Sequence, residues 1–174
     1  QALGSILPTK QNAQSPNIPT PQEIQQLEQE RTREQAIASG REGLADDLWK
    51  ARDLTGAVEA AFRSFGSYKE VDSRKAWQKF GKSILSTPPG HVQDAIKIAR
   101  ALAEADFAQN SFWERFEMKV ASPLFDLEMT NSGLEELDLL LELGDAYRKI
   151  RYRSVDVIDR IWALIDLESL HPVQ

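Results

Sequence analysis

Trp77-Gln78-Lys79-Phe80 and Trp113-Glu114-Arg115-Phe116 share one pattern, Trp–polar–basic–Phe, 36 residues apart. Seven residues after each Trp stands a β-branched aliphatic, Ile84 and Val120. Trp77, Phe80 and Ile84 fall on one face at helical spacing, and so do Trp113, Phe116 and Val120. Each segment runs into a Pro-containing break, Pro88-Pro89-Gly90 and Ser122-Pro123, and then into a second helical stretch. A period of 30 to 50 residues with one helical hairpin per unit marks an α-solenoid, because a lone hairpin cannot bury its apolar face. The alternative is two amphipathic helices that share a W-x-x-F by chance inside an ordinary bundle.

Outward from these segments the chain stays helical. Leu44, Leu48, Ala51, Thr55, Val58, Phe62 and Phe65 form a seam at alternating steps of four and three, which predicts one helix over 41–66 with Gly56 weakening its middle. A helix over 70–86 opens near Asp72 or Ser73, and another over 91–108 carries Val92, Ala95, Ile96, Ala99, Leu102 and Ala103. Ser111 with Glu114 reads as a capping box for a helix over 112–121, with a fresh short start at 123–129. Ser132 with Glu135 reads as a second box, opening 133–151. The last helix, 154–169, starts at Ser154 and places Ile158, Ile161 and Ile165 on its inner face. No stretch alternates long enough to demand a strand. The expected fold is all-α, either helical-hairpin repeats (a short α-solenoid) or an irregular helical bundle with an extended N-terminal arm.

Three domains follow: 1–20 an extended Pro- and Gln-rich arm, 21–39 a polar helical extension, and 40–174 an all-α domain. The arm holds Pro8, Pro16 and Pro19 among Gln, Asn and Ser, too little apolar surface for a core. It lacks the Arg of a transit peptide and the apolar stretch of a secretory signal, and its start at Gln1 suggests processing or trimming. Thr20, Pro21 and Glu23 make a helix start, but 21–39 offers only Ile24, Leu27 and Ile37 as large apolar residues. Such a helix reaches into solvent or lends a thin stripe to a partner.

IKIARALAEADFAQNSFWERF (96–116) and LEELDLLLELGDAYRKIRYRSVDVIDRIWALI (134–165) resemble the loose helical-hairpin repeats of organellar RNA-processing proteins, the octatricopeptide and FAST-kinase-like families. The resemblance spans about 70–167 and implies stacked hairpins and association with RNA. Those families carry basic inner surfaces, from which this acidic chain departs.

Composition narrows the chemistry. The 174 residues include no Cys and two His, which excludes a thiolate nucleophile and Cys-ligated or multi-histidine metal centres. A net charge of -6 argues against bulk nucleic-acid or anionic-membrane binding. Cys absence fits a reducing intracellular compartment, and the resemblance to organellar families allows a mitochondrial one. No run spans a bilayer, and no phosphate-cradling glycine loop is present. No cofactor is called for.

Four features carry candidate chemistry. Glu135, Asp138, Glu142 and Asp145 share a helix face, a metal or acid–base site at most and otherwise a solvated one. Tyr147, Arg148, Lys149, Arg151 and Arg153 interleave cations with aromatics; they read as a nucleic-acid contact, a protein contact, or cations at a helix C-terminus with Tyr147 and Ile150 turned to the core. In the protein reading the basic residues pair with acidic groups, on this chain or on a partner protein. His91 and His171 read as surface or capping residues, and Trp49 and Trp113 lie beside inward positions, where an exposed indole would mark an interface. Together these point to a non-enzymatic helical scaffold or adaptor subunit that binds other proteins through Ile24, Leu27, Trp49 and the 147–153 segment. An organellar RNA-associated repeat protein is the alternative, and a carboxylate-based enzyme a remote one.

Overall fold

The computed structural model describes residues 18–41 and 43–170, the last four of these by their backbone only. Residues 1–17, which hold most of the expected arm, and the tail with His171 lie outside the described residues. The described chain is all-helical, without a strand, an architecture open to a helical bundle or a short helical repeat. It divides between Ser39 and Gly40. No described helix is long and apolar enough to cross a membrane.

The first unit contributes α1, Pro21–Ser39. Its start is the capping box expected: Thr20 N–H donates to Glu23 Oε2 at 3.2 Å and Glu23 N–H to Thr20 Oγ1 at 3.2 Å. Of its large apolar residues only Ile37 is buried.

The second unit carries α2 (Leu44–Lys50), α3 (Leu54–Phe65), a 3₁₀ turn (Val71–Ser73), α4 (Arg74–Ser86), α5 (Val92–Glu104), α6 (Asn110–Phe116), a π turn (Glu117–Ala121), α7 (Ser122–Glu128), α8 (Leu134–Lys149) and α9 (Val155–Leu170). The single helix expected over 41–66 is in fact two. Arg52 turns left-handed at φ 66°, Asp53 N–H closes back on Leu48 O, and the Asp53 carboxylate then accepts Gly56 N–H at 2.9 Å as the cap of α3. Gly56 is therefore an N-terminal position of α3 and not a weak helix middle: a Cβ there would lie 2.7 Å from Asp53 Cγ.

The same ending closes α5 and α8. Asp106 and Arg151 both take φ 59°, with Phe107 N–H on Leu102 O and Tyr152 N–H on Tyr147 O. This is the Schellman arrangement with Asp or Arg where glycine is usual. Neither expected capping box at Ser111 or Ser132 forms; α6 and α8 start without a side-chain cap. Pro123 does not restart the helix. The π turn immediately before it widens the coil, which absorbs the missing N–H and the ring, so 110–128 runs on as one helical stretch.

α5 lies at the centre, packed on α3, the π turn, α7 and α8, while α4 packs on α2, α3 and α6 and α9 packs on α8. A chain of aromatic rings runs through the core. Edge-on rings link Trp49 to Phe80, Phe80 to Trp77, Phe107 to Phe112, Phe112 to Trp113, and Trp113 to Tyr147. Trp77 and Trp113 occupy related places: both are buried, and each indole donates to a carbonyl of the loop ahead of its helix, Gly66 O at 3.1 Å and Phe107 O at 2.7 Å. Phe80, Phe116, Ile84 and Val120 are buried with them.

Candidate functional site

The 147–153 segment is the C-terminus of α8. Tyr147 and Ile150 are buried, and Tyr152 folds back on Tyr147 with ring centroids 4.9 Å apart, the apolar contact that accompanies a Schellman end. Arg148, Lys149, Arg151 and Arg153 stay exposed around it. This is the helix-terminus arrangement. Tyr147 is thus a core residue with no face for a partner. Of the four cations only Arg148 makes an ion pair, with Asp145 at 2.6 Å; Lys149, Arg151 and Arg153 make none among the described residues, so the pairing expected on this chain is met by Arg148 alone.

Beneath this end lies a polar cluster that composition and spacing do not reveal. The π turn projects Glu117 to Ser154, whose hydroxyl donates to the carboxylate and accepts Val157 N–H at 3.0 Å, capping α9. Burial pushes the Glu117 carboxyl above its ordinary range, and the Ser154 hydroxyl offsets part of that. The buried Tyr147 hydroxyl faces the Glu117 carboxylate; desolvation and that carboxylate hold its pKa well above 10. Tyr152 is pushed up to about 12, chiefly by burial. One turn along, Arg160 bridges Asp126 and Asp156 at 2.8 Å each, and Ser122 donates to Asp156 at 2.7 Å. These pairs tie α7 to α9.

The packing face of α9 is Val157, Ile161 and Leu164, not the Ile158–Ile161–Ile165 face expected. Val155, Ile158, Trp162 and Ile165 instead point to solvent, 70%, 52%, 60% and 41% exposed. Their spacing of three, four and three makes one stripe down the helix. On α8, Leu134 and Leu141 are exposed as well. A cavity of about 610 Å³ joins Leu134 and Leu137 to Leu164 and Ile165, and one of about 330 Å³ joins Gly144 and Arg148 to Val157 and Ile158. α8 and α9 are therefore antiparallel, with an apolar groove along their outer side.

The other candidates fall elsewhere. Trp49 is fully buried, its indole donating to Thr87 O at 2.9 Å, and Trp113 is fully buried too; neither lies at an edge. Trp49 stands four residues after buried Ala45 on α2 and Trp113 three residues before buried Phe116 on α6, so both face inward, whereas Trp162 sits on the solvent stripe. Ile24 and Leu27 on α1 are exposed. Glu135, Asp138, Glu142 and Asp145 form the solvated face, with Glu142 on Arg100 at 3.5 Å. No group of three or more metal-ligating side chains occurs among the described residues. His91 Nδ1 meets Glu128 Oε2 at 3.0 Å, while Glu128 Oε1 accepts Val92 N–H at 2.6 Å and so caps α5 from α7. That pairing raises the His91 pKa and lowers that of Glu128. Compared with protein-family models, curated proteins and solved structures, the chain matches none.

Proposed function

We propose that the protein is a non-enzymatic helical scaffold or adaptor subunit that binds other proteins within a larger assembly. The observation that carries this reading is the exposed Val155–Ile158–Trp162–Ile165 stripe on α9, continuous with the groove along α8. An ordered apolar stripe with a Trp at its centre has the character of an interface, where aromatic anchors dominate binding energy. Three charged groups serve structure: Arg160 and Glu117 fasten α9, and Glu128 caps α5. Ile158→Asp with Trp162→Asp is the test. The native assembly is sized by sedimentation from its own cells, with circular dichroism as the check on folding. The wild type is expected in a larger particle, and the folded variant as the free chain. A wild type that sediments as the free chain, or a variant that stays in the particle, overturns the reading.

A second reading, association with RNA, is favoured by Lys149, Arg151 and Arg153, cations without ion-pair partners among the described residues. Salt decides it: RNA held through these residues is lost as salt rises, by up to roughly 0.7 log units of affinity per log unit of salt for each phosphate neutralised on a single strand.

A further inference from the structure

We infer that the α8–α9 groove receives an amphipathic helix of a partner protein, basic along its flanks and lying parallel to α8, with its C-terminal end at Arg151 and Arg153. This rests on the protein-binding reading above and adds the chemistry and orientation of the occupant. The stripe from Val155 to Ile165 extends roughly 15 Å, about three helical turns. That length suits anchors at i, i+3 or i+4, and i+7 of a docked helix.

Charge selects among occupants. Asp159 and Asp166 are exposed on one side of the stripe and Asp138 on the other side of the groove, none in an ion pair among the described residues. A second copy docked through the same hairpin would set these carboxylates against their own kind, in a chain already at -6. Lys or Arg along a partner helix complements them. The ends differ in sign. Arg148, Arg151 and Arg153 line the cavity at the α8 C-terminus, and only Arg148 is already paired. Glu136 lines the cavity at the other end, where Asp126 and Arg160 satisfy each other. A docked helix carries partial negative charge at its C-terminus and partial positive charge at its N-terminus, so it is stabilised with its C-terminus at the arginines.

The probe is a synthetic 18-residue helix with Leu at the anchor spacing and Lys on both flanks, tested against the full chain. A peptide with Glu flanks is the control. Trp162 is the exposed indole among the four, so its emission moves to the blue when covered. The expected result is binding of the Lys peptide about tenfold tighter than the Glu peptide, from a few rim pairs of opposite sign. Asp159→Lys with Asp166→Lys reverses the preference, and Ile158→Asp removes binding. A spin label at the peptide C-terminus broadens the amide signals of Arg151 and Tyr152, and one at its N-terminus those near Leu134. Equal affinity for both peptides, binding indifferent to Ile158→Asp, or the opposite broadening pattern overturns the inference. So does a concentration-dependent dimer of the chain alone that covers Trp162. Failure of both peptides while Ile158→Asp still releases the native assembly overturns this inference and leaves the scaffold reading standing.

Discussion

Alanine at Gly56 separates the structure from the helix-propensity view of the same residue. In an uninterrupted helix, Gly→Ala stabilises by about 1 kcal/mol. Here Gly56 N–H is the donor to the Asp53 carboxylate at 2.9 Å, and a new Cβ would lie 2.7 Å from Asp53 Cγ. The Asp53 side chain is short and can rotate aside, but it then gives up the cap, worth about 1 kcal/mol. The two terms oppose, so Gly56→Ala changes stability by roughly zero. With Asp53→Ala already in place there is no cap to lose, and the same substitution stabilises by about 1 kcal/mol. The double-mutant cycle therefore has a coupling of about 1 kcal/mol, above the usual additivity error of about 0.5 kcal/mol. Urea unfolding followed by circular dichroism measures all four variants. Equal stabilisation by Gly56→Ala in both backgrounds would show one continuous helix over 41–66 and refute the break at Arg52.

Four further outcomes follow from the packing. Val157→Ala, at a residue 4% exposed, costs about 2 kcal/mol of stability, while Ile158→Ala next to it costs under about 0.5 kcal/mol; thermal melts of the two distinguish the faces of α9. Arg151→Gly relieves a left-handed arginine and raises stability by about 0.5–1 kcal/mol, whereas Arg151→Ala leaves it unchanged. Burial raises the folded-state pKa of Glu117, so its stabilising contribution is full below its ordinary pKa and is lost as pH rises; Glu117→Gln should gain on the wild type in melts taken from pH 4 to pH 7. The His91–Glu128 pair stabilises between the ordinary pKa values of the two groups, fading above as His91 deprotonates and below as Glu128 protonates; Glu128→Gln should flatten the pH dependence of stability in that window.

Helical class was legible because the apolar spacing is helical throughout, and the Trp77 and Trp113 segments point inward as their shared pattern implies. The Thr20 box was legible because both of its partners are local. The break at Arg52 was not, since its left-handed turn carries no glycine to mark it. The π turn was hidden for a similar reason: Pro123 announces a defect but not whether the helix stops or widens. At the candidate site, the cationic end of α8 could be read from composition, with burial of Tyr147 and Ile150 among the readings. Its outer groove could not. α9 carries two apolar stripes, Val157–Ile161–Leu164 and Val155–Ile158–Trp162–Ile165, and spacing alone does not say which faces the core. Glu117 escaped notice because its partner Ser154 is 37 residues away.

The carboxylate that closes the start of α5 arrives from α7, 36 residues later in the chain. On a ribosome α5 is therefore fully synthesised before its own cap exists. Until residue 128 has emerged, the first turn of the central helix carries a free N–H and frays. Nascent chains stalled short of that point carry an α5 whose residues are all present and whose first turn is still open. Completion of α5 thus marks the docking of α7, and a single residue times the one against the other.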